Sequence, residues 1–200
     1  MYVKKIINSY FETNSYIFEY NNSLFIIDPG SDINKIINSL ENKKIDYILL
    51  THGHMDHIGS VKELIKLYNP KVFLSNLDKD YINGNIILDP YFDKNNYNFE
   101  FIDYEYFNIN NIEIIKSPGH SYGSVCIYFK KENILFSGDT LFKDSFGRYD
   151  FKDGDLNKLV KSINKLFELN ENTIVYPGHG EKTTIKYEKT NNIINFYKNY

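Results

Sequence analysis

All five histidines of this 200-residue chain lie in three short segments, and each segment follows an apolar, strand-like run. The segments are Thr51-His52-Gly53-His54-Met55-Asp56-His57, Ser117-Pro118-Gly119-His120 and Tyr176-Pro177-Gly178-His179-Gly180. A fourth segment, Phe136-Ser137-Gly138-Asp139, has the same form with a carboxylate. A glycine directly before the polar residue lets the backbone turn sharply beside a site. Four strand ends that each carry a potential ligand predict a pocket at the edge of a sheet.

The run from His52 to His57 indicates metal binding. Residues two apart in an extended chain point the same way, so His52 and His54 can serve one cation. Asp56 and His57 follow one turn later, where the chain enters a helix, and can serve a second. A lone His-X-His or Gly-His pair is common in surface loops, but the longer run together with the other strand ends is specific. Imidazole and carboxylate suit zinc, and also iron or manganese.

Short apolar runs alternate with helix-like segments along the chain. Strands are predicted at residues 2–7, 15–19, 24–27, 46–50, 72–74, 112–116, 123–129, 133–137 and 173–176. Helices are predicted at 32–41, 58–68 and 156–169, and from about residue 184. The stretch from 76 to 111, with Leu88-Asp89-Pro90-Tyr91-Phe92 in its middle, is predicted to be loops with a short helix and one strand. This order predicts an α/β protein, an αββα sandwich of two mixed sheets flanked by helices, in a single domain over 1–200.

Composition narrows the range of partners. The formal net charge of −3 leaves no basic surplus for nucleic acid or an anionic membrane. The single cysteine, Cys126, permits no internal disulfide and is predicted to be a small core residue. The N-terminus has no signal-peptide pattern, and no apolar run reaches the roughly 20 residues that span a bilayer. We therefore expect a soluble, cytoplasmic protein.

Together these residues resemble the metallo-β-lactamase-fold hydrolases, and within them the short glyoxalase II-like (hydroxyacylglutathione hydrolase-like) proteins. Besides the four segments above, the resemblance rests on Thr13-Asn14-Ser15-Tyr16, Ile27-Asp28-Pro29-Gly30, Thr140-Leu141-Phe142, Gly147-Arg148-Tyr149-Asp150 and Thr183-Thr184. It covers nearly the whole chain and implies the same αββα sandwich.

The resemblance also implies a ligand set for two metal ions. It assigns His52, His54 and His120 to one ion. It assigns Asp56, His57 and His179 to the other, with Asp139 bridging both. Asp56 and Asp139 are the residues expected to take part in catalysis. The cofactors expected are two divalent ions, zinc first and iron or manganese as alternatives.

The implied activity is hydrolysis of a small acyl-thiol, with S-lactoylglutathione as the leading example, by a metal-bridging hydroxide. No serine or cysteine nucleophile is then needed. About 20 residues follow His179, so we expect no separate C-terminal helical glutathione-binding domain. Glutathione would have to be recognised differently, for example by Lys143 or Lys182, or the substrate would use another thiol carrier.

Three alternatives stay open. A persulfide dioxygenase would need one iron on His52, His120 and Asp139. A hydrolase of another ester or a lactone would use the same two metals, and a binding domain would keep them for structure alone. A typical β-lactamase is disfavoured, because several of that fold carry cysteine where Asp139 stands.

Asp28-Pro29-Gly30 and Gly147–Asp150 are predicted to shape loops, and Arg148, the sole arginine, to bind a carboxylate or carbonyl. The oligomeric state cannot be predicted.

Overall fold

In the computed structural model, residues 1–87 and 97–197 are described, and the chain forms two units, Met1–Phe107 and Asn108–Tyr200. Each unit contains one mixed β-sheet and several helices. The segment Leu88-Asp89-Pro90-Tyr91-Phe92 lies outside the described residues. A single domain over 1–200 stays a prediction.

The first unit is built on a six-stranded sheet in the order β1-β2-β3-β4-β5-β6. Its strands are β1 Lys4–Ile7, β2 Asn14–Tyr20, β3 Ser23–Ile27, β4 Tyr47–Leu49, β5 Lys71–Leu74 and β6 Ile102–Asp103. β1, β2 and β3 pair antiparallel, whereas β3, β4, β5 and β6 pair parallel. The central strands are rich in isoleucine and phenylalanine, which suit a pleated, buried surface.

Helices of the first unit follow the predicted apolar spacing. They are α1 Ile33–Ser39, α2 Met55–Ile58, α3 Val61–Tyr68 and α4 Lys79–Ile82, with 3₁₀ turns at Asn76–Asp78 and Tyr104–Tyr106. Val61 and Leu64 of α3 are fully buried in the same apolar cluster as Ile26 and Ile48. Asn69 ends α3 in a left-handed conformation directly before Pro70, where the helix was predicted to stop.

The second unit is built on a five-stranded sheet in the order β13-β12-β9-β8-β7. Its strands are β7 Ile112–Lys116, β8 Val125–Phe129, β9 Ile134–Gly138, β12 Ile174–Pro177 and β13 Thr183–Thr184, and a separate hairpin pairs β10 Leu141–Phe142 with β11 Ser145–Phe146. β9 and β12 pair parallel and the other neighbours antiparallel.

The helices of the second unit begin at capping side chains. In α5, Leu156–Leu166, the backbone N–H of Lys158 donates to the Asp155 side chain, and in α6, Ile185–Asn191, the Tyr187 N–H donates to Thr184. A 3₁₀ turn at Ile193–Tyr197 follows. Cys126 is fully buried in the apolar cluster, so its predicted core role is confirmed.

Some predicted bounds need correction. The first strand begins at Lys4 and not at residue 2, and α5 ends at Leu166 and not at 169. β10, β11 and β13 were not predicted, because two-residue strands are too short to show an alternating pattern. No helix within the described ranges is long and apolar enough to cross a membrane.

Candidate metal centre

Three histidines of the first unit gather at the end of β4. His52, His54 and His57 are all buried, with exposed fractions of 1%, 5% and 0%. The His52 ring centroid lies 4.5 Å from that of His54 and 4.2 Å from that of His57. His57 belongs to the short helix α2, as the sequence predicted. Buried imidazoles packed together must remain neutral or share a cation, because several positive charges cannot be buried side by side.

Asp28 directly follows β3, and its carboxylate contacts His57 directly and His52 through the Thr51 hydroxyl. Its carboxylate accepts hydrogen bonds from the backbone N–H of Thr51 at 2.7 Å and from the Thr51 hydroxyl at 2.6 Å. Oδ2 of Asp28 also lies 3.0 Å from Nδ1 of His57. A carboxylate only accepts, so Nδ1 of His57 carries the proton. The single proton of the Thr51 hydroxyl is used in its hydrogen bond to Asp28, so at 3.0 Å the hydroxyl oxygen accepts from Nδ1 of His52.

Both rings are thereby held in one tautomer, with Nε2 as the nitrogen that can bind a metal. This role of Asp28 exceeds the loop-shaping predicted for it, and sequence reasoning missed it. Ligand atoms of Asp28, His52 and His57 lie within 4.8 Å of one another, which would also suit a cation. The hydrogen bonds from Nδ1 and from Thr51 to Asp28 favour an orienting cluster instead.

Asp56 lies in the first turn of α2. Its Oδ2 accepts a hydrogen bond from the Thr13 hydroxyl at 2.7 Å and lies 3.4 Å from Nε2 of His57. The side chain of Asp56 is 13% exposed. The carboxylate is therefore oriented from one side by a buried hydroxyl and lies beside Nε2 of His57, the nitrogen that could bind a metal.

In the second unit, His120 is oriented by the loop that contains Gly147 and Arg148. Nδ1 of His120 donates to the carbonyl oxygen of Arg148 at 2.8 Å, which again leaves Nε2 as the nitrogen that could bind a metal. The edge of the Phe151 ring packs against the imidazole, with centroids 5.6 Å apart. A Cβ atom on Gly147 would lie 1.9 Å from the carbonyl oxygen of Asp139, so this position requires glycine.

Asp139 and His179 complete the group in the second unit. Oδ2 of Asp139 lies 3.5 Å from Nε2 of His120 and 3.4 Å from Nε2 of His179. Two of the glycines that precede the ligands, Gly119 and Gly138, have left-handed φ angles of 139° and 49°. One carboxylate oxygen thus lies about equally close to the Nε2 atoms of two histidines.

The three separations between Nε2 and Oδ2 test whether these residues fit a metal ion. At 3.4–3.5 Å they exceed the roughly 2.7–3.2 Å of an N–H···O hydrogen bond. Two donor atoms that are each about 2.1 Å from one cation, at a tetrahedral angle, lie roughly 3.4 Å apart. Within each of the three pairs, the two donor atoms are therefore spaced as two ligands of one ion would be. The donor set fits a divalent metal.

Each unit thus brings its predicted ligands together. The first contains His52, His54, Asp56 and His57, and the second contains His120, Asp139 and His179.

Other residues singled out in the sequence have separate roles. Arg148 forms a two-pronged ion pair with the Asp150 carboxylate at 2.8 and 2.9 Å, and this contact holds the pKa of Asp150 below its usual range. The predicted bond of Arg148 to a carboxylate is confirmed. Lys143 and Lys182 share an open groove of about 430 Å³ with Ile174, Thr183, Thr184 and Tyr187.

The chain belongs to the metallo-β-lactamase superfamily: the sequence pattern described as "Metallo-beta-lactamase superfamily" matches residues 10–179. It is 31% identical over 196 residues to the hydroxyacylglutathione hydrolase GloC of Haemophilus influenzae, a match that covers 89% of this chain and 90% of that protein.

Two solved structures share the fold. TTHA1623, crystallised in a di-iron-bound form, has a TM-score of 0.85 and 29% identity, covering 96% of this chain and 99% of its own. The BLEG-1 B3 metallo-β-lactamase has a TM-score of 0.85 and 34% identity, covering 96% of this chain and 98% of its own. The predicted family and its fold of two mixed sheets with helices are confirmed. This is a superfamily of metallo-hydrolases with glyoxalase II-like members.

Proposed function

We propose that this protein is a binuclear metal-dependent hydrolase that cleaves a small thioester of the S-lactoylglutathione kind. The observation that carries the proposal is the position of Asp139 Oδ2, at 3.5 and 3.4 Å from the Nε2 atoms of His120 and His179. Each of these two pairs is spaced as two ligands of one ion, so with His120 on one ion and His179 on the other, this oxygen would bind both. The name of the Haemophilus relative supports the thioester substrate.

The proposed ligand set is the one that the family resemblance implies. His52, His54 and His120 would bind one ion, Asp56, His57 and His179 the other, and Asp139 both. Zinc is the first candidate, and the di-iron relative keeps iron as an alternative. Bound divalent ions would supply a water whose pKa is lowered toward about 7, as well as positive charge for the developing oxyanion.

The chain's own residues prepare this site in three ways. Asp28 and Thr51 hold the His52 and His57 rings with Nε2 available, and the Arg148 carbonyl does the same for His120. The carboxylates of Asp56 and Asp139 offset part of the positive charge of two cations. The Asp56 carboxylate can also accept a proton from the attacking water.

A second candidate is β-lactam hydrolysis, which the match to the BLEG-1 B3 metallo-β-lactamase favours. Both reactions attack a carbonyl carbon and need no protein nucleophile. They differ in the leaving group, a thiolate in one and a ring nitrogen in the other. Only turnover can separate them.

The test combines metal analysis with a substrate panel on the full chain. The purified protein is expected to bind two divalent ions and to hydrolyse S-lactoylglutathione, to lose this activity with a chelator, and to regain it with metal. Asp139→Asn is expected to lower activity about 100-fold or more. The matched control is Asp80→Asn, because the Asp80 carboxylate binds Asn85 and, among the described residues, contacts no predicted ligand.

Three results would overturn the proposal. Turnover of a β-lactam but of no thioester would select the second candidate. One iron per chain with oxygen consumption on glutathione persulfide would indicate the dioxygenase. Two bound ions without turnover of any ester, thioester, lactone or β-lactam would indicate a structural role for the metals.

A further inference from the structure

A fully buried threonine that is distant in sequence from the ligand segments donates a hydrogen bond directly to a proposed metal ligand. Thr13, directly before β2, has an exposed fraction of 0%, and its hydroxyl donates a hydrogen bond to Oδ2 of Asp56 at 2.7 Å. We propose that Thr13 is a positioning residue for Asp56 and thereby sets the affinity for the ion that Asp56 and His57 hold. This inference rests on the proposed function.

The backbone around Thr13 holds the residue in place. Its carbonyl oxygen accepts two hydrogen bonds from Asn8, one from the backbone N–H at 2.9 Å and one from Nδ2 at 2.8 Å. The two preceding residues, Phe11 and Glu12, have left-handed φ angles of 54° and 53°. Residues with side chains rarely adopt this conformation, and two in succession persist only where the surroundings enforce them.

The same framework reaches the turn that contains Asp28. Nδ2 of Asn8 also donates to the Ser15 hydroxyl at 2.8 Å. The Ser15 hydroxyl in turn donates to the carbonyl oxygen of Asp28 at 2.6 Å. Asn8 therefore links the residue that orients Asp56 to the residue that orients His57. Both proposed ligands of one ion are positioned by a single hydrogen-bonded unit.

The Thr13 hydroxyl bonds to Oδ2 of Asp56, the same carboxylate oxygen that lies beside Nε2 of His57. Oδ2 of Asp56 is 3.4 Å from Nε2 of His57, at the spacing of two ligands of one ion. A hydrogen bond to this oxygen uses one lone pair, restricts rotation of the carboxylate and leaves another lone pair for a cation. Partners of this kind typically change metal affinity by about 10- to 100-fold when they are removed.

The experiment compares Thr13→Val, which has the same shape without the hydroxyl, with Thr13→Ser, which keeps it. The matched control is Thr183→Val, because the Thr183 hydroxyl also bonds a buried carboxylate, that of Glu188, which is not a proposed ligand. Metal-free protein of each variant is titrated with Zn²⁺ against a chelating indicator. The absorption spectrum of the Co²⁺-loaded protein and the unfolding midpoint of the metal-free protein are also recorded.

The expected result is that Thr13→Val weakens one of two Zn²⁺ sites by about 10-fold or more and alters the Co²⁺ spectrum. Thr13→Ser should bind within about threefold of the wild type, and Thr183→Val should lower the unfolding midpoint while leaving both affinities unchanged. Unchanged affinities in Thr13→Val, equal loss in Thr13→Ser, or equal loss in Thr183→Val would each overturn the role of Thr13. Fewer than two ions on the wild type would overturn the proposed function itself, and this inference with it.

Discussion

The carbonyl oxygen of Arg148 accepts a hydrogen bond from Nδ1 of His120 at 2.8 Å, so a backbone atom fixes the orientation of a proposed ligand. The next residue towards the N-terminus, Gly147, lies so close to Asp139 that no side chain fits there. At both positions, the contact with a proposed ligand therefore depends on the backbone of the loop and not on a side chain. The exposed Arg148 side chain instead binds Asp150 and lies over the Phe151 ring, 4.2 Å from its centroid.

Gly147→Ala should therefore impair metal binding, whereas Arg148→Ala should not. The alanine Cβ would lie 1.9 Å from the Asp139 carbonyl oxygen, so the backbone must shift and displace either Asp139 or the Arg148 carbonyl. We expect Gly147→Ala to weaken binding of at least one ion by about 10-fold or more. Metal content per chain after dialysis against a weak chelator measures this. Wild-type metal content in Gly147→Ala, or equal loss in Arg148→Ala, would contradict the assigned role of the backbone.

Asp28→Asn tests the orienting cluster of the first unit. Asp28 has a left-handed φ of 47°, which asparagine tolerates, so the substitution changes the hydrogen bonds and leaves the turn. An amide has one acceptor oxygen and cannot accept from the N–H and hydroxyl of Thr51 and from His57 at once. Zinc affinity is expected to fall about 10- to 100-fold.

The matched control for Asp28→Asn is Asp46→Asn. The Asp46 carboxylate also accepts a bond from a backbone N–H, that of Leu24, but contacts no proposed ligand in the structure as described. Equal zinc affinities of Asp28→Asn and the wild type, measured by competition with a chelating indicator, would show that the two histidines need no orienting carboxylate.

Much of the fold could be predicted from the sequence, and a ligand set could be proposed. Apolar runs and helical spacing are local properties, and the resulting strands and helices match the structure within a few residues, as in β7 and α3. Candidate ligands could be named because a metal site needs a few residue types at strand ends, and their role stays a prediction. The residues that orient the ligands could not, because their bonds join positions far apart in the chain, such as Asp28 with His57 and Thr13 with Asp56.

One signal could have identified Asp28. It follows β3, and β3 pairs parallel with β4, which precedes His52. The carboxyl ends of parallel neighbours lie at the same edge of a sheet, so a carboxylate after β3 is expected beside the histidines after β4. For Thr13 and Arg148 there was no such signal. Thr13 lies in the turn between the antiparallel strands β1 and β2, and Arg148 acts through a carbonyl group that every residue has.

A stability prediction concerns Glu188, a fully buried carboxylate in α6. It accepts bonds from the Thr183 hydroxyl at 2.5 Å, the Asp144 backbone N–H at 3.0 Å and the Asn192 amide at 2.7 Å. In Glu188→Gln, the NH₂ group of the new side chain would face at least one of these three donor groups. Leaving a buried donor unsatisfied costs about 1–3 kcal/mol, so the free energy of unfolding should fall by that amount.

Urea unfolding of the metal-free protein measures the effect of Glu188→Gln. Glu168→Gln serves as the control, because the Glu168 side chain is exposed after the end of α5. Its free energy of unfolding should match that of the wild type. A midpoint for Glu188→Gln that is equal to this control would mean that the buried carboxylate contributes nothing to stability.

The Cys126 thiol should be unreactive in the folded protein. Burial raises the pKa of this thiol to about 11, and Sγ donates to the Ser117 hydroxyl at 3.3 Å. The thiolate is the reactive form, and an unfolded cysteine has a pKa of about 8.5. At pH 8.5, iodoacetamide should therefore modify the folded protein at least about 100-fold more slowly than the urea-unfolded protein, as followed by intact mass.

The raised pKa means that the folded state keeps this proton to higher pH, so the stabilisation is complete below about 8.5 and is lost as the pH rises towards about 11. Cys126→Ser separates this loss from the titration of tyrosine and lysine, since the variant should lack the cysteine contribution over the same range. Rapid modification of the folded wild type at pH 8.5 would show that the thiol is accessible and ionised, against its position in the core.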